Sequence, residues 1–156
     1  MPYLVDGHNL IPHLGLRLDS FDDEMALVKR LQEFCRLRRT QVEVYFDGAP
    51  AGQAGTRKLG AVTAHFVRQG TTADAAIEAR LSQLGRQARN WSAVSSDGRV
   101  RQAARAVHAE AVPGEEFAVR MRAATADRAK TGEVGGGLTP EEIEELLATF
   151  RDRHKP

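Results

Sequence analysis

Short apolar runs alternate along the chain with segments in which apolar residues recur every three or four positions. The short runs predict buried β-strands at residues 3–6, 41–47, 61–67, 91–97 and 109–112. The helically spaced segments predict helices at residues 22–39, 71–88 and 98–108, and a further helix from about residue 115. Strands that alternate with helices predict a three-layer α/β/α fold with a mainly parallel central sheet of about five strands.

The last part of the chain has a different pattern. Residues 124–138 contain almost no large apolar side chains, which predicts a flexible linker. Thr139 and Pro140 then provide a helix start, and an amphipathic apolar stripe follows. We therefore expect a domain at 1–123, a linker at 124–138 and a helix at 139–156 that docks on the domain or on a partner.

The composition is that of a globular protein, with 42% hydrophobic and 28% charged residues among 156. The formal net charge of +1 means that any contact with nucleic acid depends on a local basic patch. Cys35 is the single cysteine and is expected to be a buried thiol in a reducing compartment. The sequence lacks a membrane-length apolar run and a signal-peptide core, so a cytoplasmic protein without membrane contact is expected. The sequence is compatible with either a monomer or a homodimer.

Three of the predicted strands end in aspartate: Asp6 on the first, Asp47 on the second and Asp97 on the fourth. Because the carboxyl ends of parallel strands share one edge of a sheet, these side chains are expected to converge there. Asp74 joins them from the first turn of the helix that begins with "TTAD". Glu78 lies one turn further along the same helical face.

Crowded carboxylates repel one another and take up protons unless a cation lies among them. Oxygen ligands of this kind suit Mg²⁺ or Mn²⁺, which can activate a water and stabilise charge on a phosphodiester. Asn9 could then orient the attacking water or a phosphate oxygen. The alternative for each aspartate alone is a structural cap or turn residue, and the "DGAP" that begins at Asp47 is a good turn by itself.

Four ordered motifs, "YLVDGHNLI", "VEVYFDGAP", "TTADAAIEARL" and "AVSSDGRVRQAA", closely resemble the YacP-like branch of the NYN-domain ribonucleases, within the PIN-like superfold. The resemblance runs from Tyr3 to about Met121. It implies a metal-dependent endoribonuclease with a PIN-type sheet. It also maps four residues onto the acidic active site of that family, with Asp47 as a further member: Asp6, Asn9, Asp74 and Asp97.

Other features follow from the same resemblance. Ser96 matches a polar residue of the family's "SD" element and is expected to hydrogen-bond a metal ligand or a phosphate. His8 stands where many relatives carry tyrosine, and it is either a substrate contact or an oriented structural group. The expected substrate is RNA, single-stranded or as mRNA on the ribosome, and the ribosome is the expected partner.

Four cations are candidates for phosphate contacts, with solvated surface charge as the alternative for each. Arg57 and Lys58 lie in a predicted loop after the second strand, and Arg99 and Arg101 follow Asp97 at a helix start. Trp91 is expected in the core, so no aromatic platform for base stacking is evident. This predicts weak sequence preference.

Three other functions are alternatives to a nuclease. A non-catalytic RNA- or ribosome-binding module would carry the acidic cluster only as a vestige. A phosphatase with Asp6 as covalent nucleophile is disfavoured, because haloacid-dehalogenase-like enzymes want an acidic or small polar residue where His8 stands. Dinucleotide binding is disfavoured because no G-x-G-x-x-G follows the first strand.

Overall fold

The structure is a computed structural model that describes residues 1–16 and 21–131. Its strands are β1 Tyr3–Asp6, β2 Val42–Ala49, β3 Gly55–Leu59, β4 Val62–Arg68, β5 Ser92–Val94 and β6 Glu110–Val112. Its α-helices are α1 Gly7–Leu10, α2 Phe21–Arg38, α3 Ala73–Leu84, α4 Gly98–Ala106 and α5 Gly114–Thr131. Two 3-10 helices, Ile11–Leu14 and Gly85–Asn90, extend α1 and α3.

The six strands form one sheet in the order β3-β4-β2-β1-β5-β6. Every neighbouring pair is parallel except β3 and β4. From β1, the chain adds β2 and then β4 on one side of the sheet. It then crosses to the other side of β1 and adds β5 and β6, so the direction of winding reverses beside β1. Ligands of open α/β sheets bind at the carboxyl ends of strands where the winding reverses. The predicted α/β fold is confirmed, with six strands rather than about five.

The additional strand, β3, corrects the prediction that Arg57 and Lys58 lie in a loop. Both residues are on β3, which pairs antiparallel with β4 and places Arg57 opposite Ala64 and Lys58 opposite Thr63. The segment "GTRKL" has one large apolar residue and is mostly exposed at the edge of the sheet. It therefore lacks the apolar alternation by which a strand is recognised from sequence. Cationic side chains also protect such an edge from pairing with other chains.

Side chains that alternate along the strands fill two cores, one on each face of the sheet. Val5, Val44 and Phe46 pack with α2 and the first part of α5, whereas Leu4 and Tyr45 pack with α3 and α4. This arrangement gives the three layers predicted from the alternation of strands and helices. Within the described ranges, the chain contains no helix that is both long and apolar enough to cross a bilayer.

The predicted linker begins inside a helix. One compact unit spans Met1–Ala124 and a second spans Thr125–Pro156, and α5 continues through residues 124–131 without a break. Alanine, arginine and lysine are strong helix formers, so a helix can form over these residues even where no apolar stripe marks it. The rest of the predicted linker, 132–138, and the predicted helix at 139–156 lie outside the described residues.

Candidate active site

Asp6 is the last residue of β1 and lies where the winding of the sheet reverses. Val5 pairs with Val94 of β5, so the next residues along the two chains, Asp6 and Ser95, lie side by side. The Ser95 hydroxyl donates a hydrogen bond to Asp6 Oδ2 at 3.3 Å. Asp6 is only 8% exposed. A carboxylate is therefore buried at the centre of the sheet edge.

Gly7 lets the chain turn into α1 directly after this strand. A Cβ atom on Gly7 would stand 2.4 Å from the Phe46 ring and 3.1 Å from the carbonyl oxygen of Tyr45. Only glycine permits so close an approach of α1 to β2. The "DG" that follows the apolar run therefore fixes α1, and with it Asn9, beside the buried carboxylate.

Asp97 lies beyond the end of a strand rather than at its last residue. β5 ends at Val94, and Asp97 is the N-cap of α4, where its Oδ1 accepts a hydrogen bond from the Arg99 N–H at 2.8 Å. Its own N–H donates to the Ser95 hydroxyl at 3.1 Å. The structural alternative, a cap, is thus one of its roles. A cap leaves the second carboxylate oxygen available for other contacts.

Asp74 brings the cluster together from α3. Thr72 caps this helix by accepting a hydrogen bond from the Ala75 N–H at 3.1 Å, which places Asp74 in the first turn. Its carboxyl group hydrogen-bonds with those of Asp97 and Asp6. Three of the predicted acidic residues therefore meet in space: Asp6 from the end of β1, Asp97 from the N-cap of α4 and Asp74 from the first turn of α3.

The electrostatics of the carboxylate cluster, defined as Asp6, Asp74 and Asp97, follow from this crowding. Burial and the negative charges of Asp6 and Asp97 raise the pKa of Asp74 to about 7. Burial also raises the pKa of Asp6, against the opposing effects of the Asn9 backbone N–H, Asp74 and the Ser95 hydroxyl. A proton on Asp74 would reduce the repulsion among these groups where no cation is bound.

The donor chemistry of the carboxylate cluster suits a hard divalent cation, which could replace that proton. In the part of the chain that the structure describes, however, no group of three or more His, Cys, Asp or Glu side chains has the spacing of a formed metal site. The residues present therefore fit Mg²⁺ or Mn²⁺ by oxygen type and charge, but their spacing is not that of a formed metal site.

Asn9 connects the two strand ends. Its Oδ1 accepts a hydrogen bond from the Ser96 N–H at 3.0 Å, and the Ser96 hydroxyl accepts one from the Gly114 N–H at 3.1 Å. A Cβ atom on Gly114 would come within 2.6 Å of Asn9 Oδ1, so the start of α5 depends on glycine there. Ser96 therefore bonds to backbone, and Ser95 takes the contact with a carboxylate that was expected of Ser96.

His8 and Asp47 form a second group beside the carboxylate cluster. His8 Nδ1 lies 2.7 Å from Asp47 Oδ1, and His8 Nε2 lies 2.7 Å from Glu24 Oε2 on α2. Burial alone would lower the pKa of His8, but the hydrogen bonds to Asp47 and Glu24 raise it. His8 is therefore an oriented group held between two carboxylates. Asp47 is near enough to the cluster for its charge to raise the pKa of Asp6.

The four candidate cations lie in different places. Arg57 lines a cavity beside Asp47, whereas Lys58 lines another with Gln41 and Trp91 at the amino ends of the strands. Arg99 forms a two-bond ion pair with Glu78 at 2.7 and 3.0 Å. The fourth, Arg101, is half-buried on α4. The structure does not bring these four cations together into one patch.

A model of the YacP-like NYN domain matches residues 3–147 of the chain. The chain belongs to the YacP-like NYN domain family. Similar solved structures include two crystal structures of Rae1 (YacP) from Bacillus subtilis, the first of them a mutant. The mutant structure has a TM-score of 0.68 at 22% identity and covers 94% of this chain and 91% of Rae1. The other has a TM-score of 0.65 at 22% identity, over 97% and 92%. No curated protein sequence matches.

The family assignment confirms the resemblance drawn from the four motifs, and the structural likeness shows that this chain shares its fold with Rae1. Two residues of this NYN domain's site were missed from the sequence. Ser95 could have been found from the sheet register, because it follows β5 where Asp6 ends β1. Glu24 stood within an acidic first helical turn, and no local pattern indicates its contact with His8.

Proposed function

We propose that this YacP-like NYN protein is a metal-dependent endoribonuclease that hydrolyses phosphodiester bonds of RNA. The observation that carries the proposal is Asp74, which lies between Asp6 and Asp97 where the winding of the sheet reverses and whose pKa is raised to about 7. Such perturbed carboxyl groups cluster at functional sites. Asp6, Asp74 and Asp97 would hold Mg²⁺ or Mn²⁺, with Asp47 as a further carboxylate nearby.

In the proposed reaction, water attacks phosphorus and the bond from phosphorus to the 3′ oxygen breaks, which leaves a 5′-phosphate and a 3′-hydroxyl. A divalent ion held by Asp6, Asp74 and Asp97 would supply an activated water and neutralise charge on the phosphate. The chain's own groups position these parts. Ser95 fixes Asp6 and the backbone of Asp97, and the N-cap bond fixes the Asp97 side chain. The amide oxygen of Asn9 accepts a hydrogen bond from the Ser96 N–H. The NH₂ group of Asn9 can therefore act as the donor to a phosphate oxygen.

The proposed substrate is single-stranded RNA or mRNA on the ribosome. The protein has a net charge of only +1, and its candidate cations are dispersed. Phosphate contacts supply most non-specific affinity for nucleic acid, so such a surface binds free RNA weakly. A larger partner that presents the RNA, such as the ribosome, would compensate for this.

The direct test is cleavage of single-stranded RNA, and separately of mRNA on translating ribosomes, with Mg²⁺, Mn²⁺ or a chelator. We expect cleavage that requires the divalent ion and yields 5′-phosphate ends. Asp6→Asn and Asp97→Asn should abolish it. Asparagine is also a good N-cap, so Asp97→Asn removes a charge while the cap remains.

The matched control is Asp22→Asn, which removes an exposed carboxylate from the first turn of α2. It should cleave at the parent rate. Parent-like cleavage by Asp6→Asn and Asp97→Asn would contradict the assignment. RNA or ribosome binding that survives chelation, with no turnover under either metal, would favour the non-catalytic binding module instead.

A further inference from the structure

A cavity of about 210 Å³ opens at the carboxyl end of β2, next to the carboxylate cluster. Among its walls are six side chains of mixed chemistry: Glu24, Asp47, Pro50, Gln53, Arg57 and Phe66. Asp47 connects the cavity to the cluster, because its charge acts on Asp6. An RNA strand whose phosphate lies at the cluster would thus bring a neighbouring nucleotide to this cavity.

A bulge in β2 shapes one wall. Phe46 pairs with Phe66, but the next pair is Ala49 with Arg68, so β2 contains one residue more than β4 between these points. Gly48 takes up the bulge with φ of +78°, a conformation that favours glycine. β2 therefore continues where "DGAP" had indicated a turn. Bulges re-aim side chains next to active sites, and this one contains Asp47.

The hairpin of β3 and β4 supplies the opposite wall. Gly55 pairs with Phe66 and Arg57 with Ala64, which brings the Arg57 side chain across to the Phe66 ring. The Arg57 guanidinium carbon lies 5.2 Å from the ring centroid, within the range of a cation–π contact. Arg57 forms no ion pair with a carboxylate in the described residues. Guanidinium planes and aromatic rings are the surfaces on which unstacked RNA bases are held.

The charges of the walls disfavour a phosphate as the occupant. An anion would meet one guanidinium but two carboxylates, those of Glu24 and Asp47. Each carboxylate already contacts His8 through one oxygen, which leaves its other oxygen as an acceptor. Gln53 adds an amide with both donor and acceptor groups. A flat, uncharged ring with N–H donors on its edge matches these walls.

The volume of the cavity limits the size of the group that it can bind. Pockets for drug-sized molecules measure roughly 300–1,000 Å³. At about 210 Å³ the cavity suits one ring system rather than a whole nucleotide. Among RNA bases, guanine, cytosine and adenine carry an exocyclic amino group that can donate to a carboxylate, whereas uracil has two carbonyl oxygens and only a ring N–H as donor on that edge.

We propose that this cavity is a nucleobase subsite that selects bases with an exocyclic amino group. The inference rests on the proposed function for its claim that the base belongs to RNA. It revises the expectation that no platform for base stacking exists, because Arg57 over Phe66 provides one.

The test is binding of mononucleotides to the full chain without divalent ion, followed by NMR of the Gln53 side-chain amide and the Arg57 Nε–H. GMP is compared with IMP, and CMP with UMP, since each pair differs at the amino group. We expect GMP and CMP to bind at least about tenfold more tightly than their partners, as hydrogen bonds to charged acceptors discriminate by that much. Equal binding within both pairs, or no shift with any nucleotide, would overturn the proposal.

Variants of the cavity residues distinguish binding of a base from binding of a phosphate in this cavity. Gln53→Ala and Arg57→Ala should weaken GMP binding, whereas Arg86→Ala should not. Arg86 is an exposed arginine on the 3-10 helix at Gly85–Asn90, which precedes β5. Arg57→Lys keeps the charge but loses the planar group. Parent-like binding by Arg57→Lys, with inorganic phosphate competing for the site, would show an anion site instead and overturn the base assignment.

This binding test needs no turnover, so its outcome is independent of the proposed nuclease activity. If the amino preference is found but RNA is never cleaved, the subsite stands and the proposed function fails. If RNA is cleaved but the nucleotide pairs bind equally, the function stands and the subsite fails. Asp6→Asn should lose cleavage while it keeps the preference for GMP over IMP.

Discussion

Two groups of charged side chains connect the central sheet to α3, and they differ in the sign of their partners. Near the middle of the helix, Glu43 of β2 accepts hydrogen bonds from Arg80 Nε and Nη2 at 3.0 and 2.9 Å. The Tyr45 hydroxyl also donates to Glu43, at 2.9 Å. Burial alone would raise the pKa of Glu43, but His65, Arg80 and Tyr45 lower it to about 2. Every partner of this carboxylate favours its charged form.

At the first turn of the same helix, Asp74 faces other carboxylates. Burial and the charges of Asp6 and Asp97 raise its pKa to about 7, the opposite direction from Glu43. A group with matched partners stabilises the fold, whereas a group of like charges costs stability and is retained for another purpose. The comparison therefore separates a carboxylate whose partners stabilise its charge from a carboxylate cluster that belongs to the proposed active site, at two places on one helix.

The largest expected effect comes from Asp74→Asn, which tests the functional side of the comparison. Cleavage of RNA should fall at least about 100-fold, since losses even at partners of metal ligands cost 10–100-fold. The free energy of unfolding should not fall above neutral pH, because the substitution removes repulsion from Asp6 and Asp97. Initial rates and thermal unfolding measure the two quantities. A stable variant that cleaves like the parent would show that Asp74 is only structural.

The second prediction concerns Glu43→Gln, which should lower stability and leave RNA cleavage unchanged, the opposite of Asp74→Asn. Loss of the charged partner of Arg80 should lower the free energy of unfolding by about 2 kcal/mol, the scale of hydrogen bonds to charged groups. The rate of cleavage per folded molecule should be unchanged. Denaturant unfolding and the cleavage assay at saturating metal check this. A loss of activity without a loss of stability would place Glu43 in the functional group instead.

Sequence pattern predicted the frame of this site well. Buried runs and helical spacing located five of the six strands and the longer helices, because burial on both faces leaves a strong apolar pattern. Parallel strands then implied that Asp6 and Asp97 share an edge of the sheet. Asp74 could be added to them because the "TTAD" motif places it in the first turn of the helix that precedes the strand of Asp97.

What the sequence could not predict depends on contacts between distant residues. β3 is polar and forms through its register with β4, so no local alternation marks it. The contact of Glu24 with His8 depends on where α2 lies over the sheet. Likewise, the apolar run predicted a strand that continues to Asp97, whereas β5 ends three residues earlier, at Val94. Such details are decided by packing rather than by pattern.

The third prediction follows from the sign of the Asp74 shift. Its pKa rises from 3.8 to about 7 on folding, so the folded state binds the proton more tightly. The stability this contributes is present below about pH 4 and is lost as pH rises toward about 7. Without divalent ions, the Tm of the parent should therefore fall by a few degrees relative to Asp74→Asn across this range. Mn²⁺ should restore the parent at neutral pH and leave Asp74→Asn less affected.

Parallel Tm curves for the parent and Asp74→Asn, with no effect of Mn²⁺ on either, would contradict this prediction. Glu43 provides the internal contrast, because its lowered pKa acts in the opposite direction. Its contribution is present above about pH 4.5 and is lost as pH falls toward about 2. Comparing Glu43→Gln with the parent should therefore show a difference that disappears in acid, whereas the Asp74 difference grows toward neutral pH.

The smallest expected effect concerns a pair that belongs to neither group. Arg99 is held by Glu78 through two hydrogen bonds, and the side chains of Arg99 and Glu78 are 55% and 31% exposed. An ion pair in contact with solvent contributes little to stability, so Glu78→Gln should leave the Tm almost unchanged. The freed guanidinium at the start of α4 can contact phosphate, and RNA should bind about twofold more tightly at low salt. Glu33→Gln is the matched control, since Glu33 pairs with Arg36 on α2 at 3.4 Å. If both variants bind RNA equally more tightly, the gain reflects net charge alone. A gain confined to Glu78→Gln, and abolished by high salt, would place Arg99 on the path of the RNA beside the carboxylate cluster.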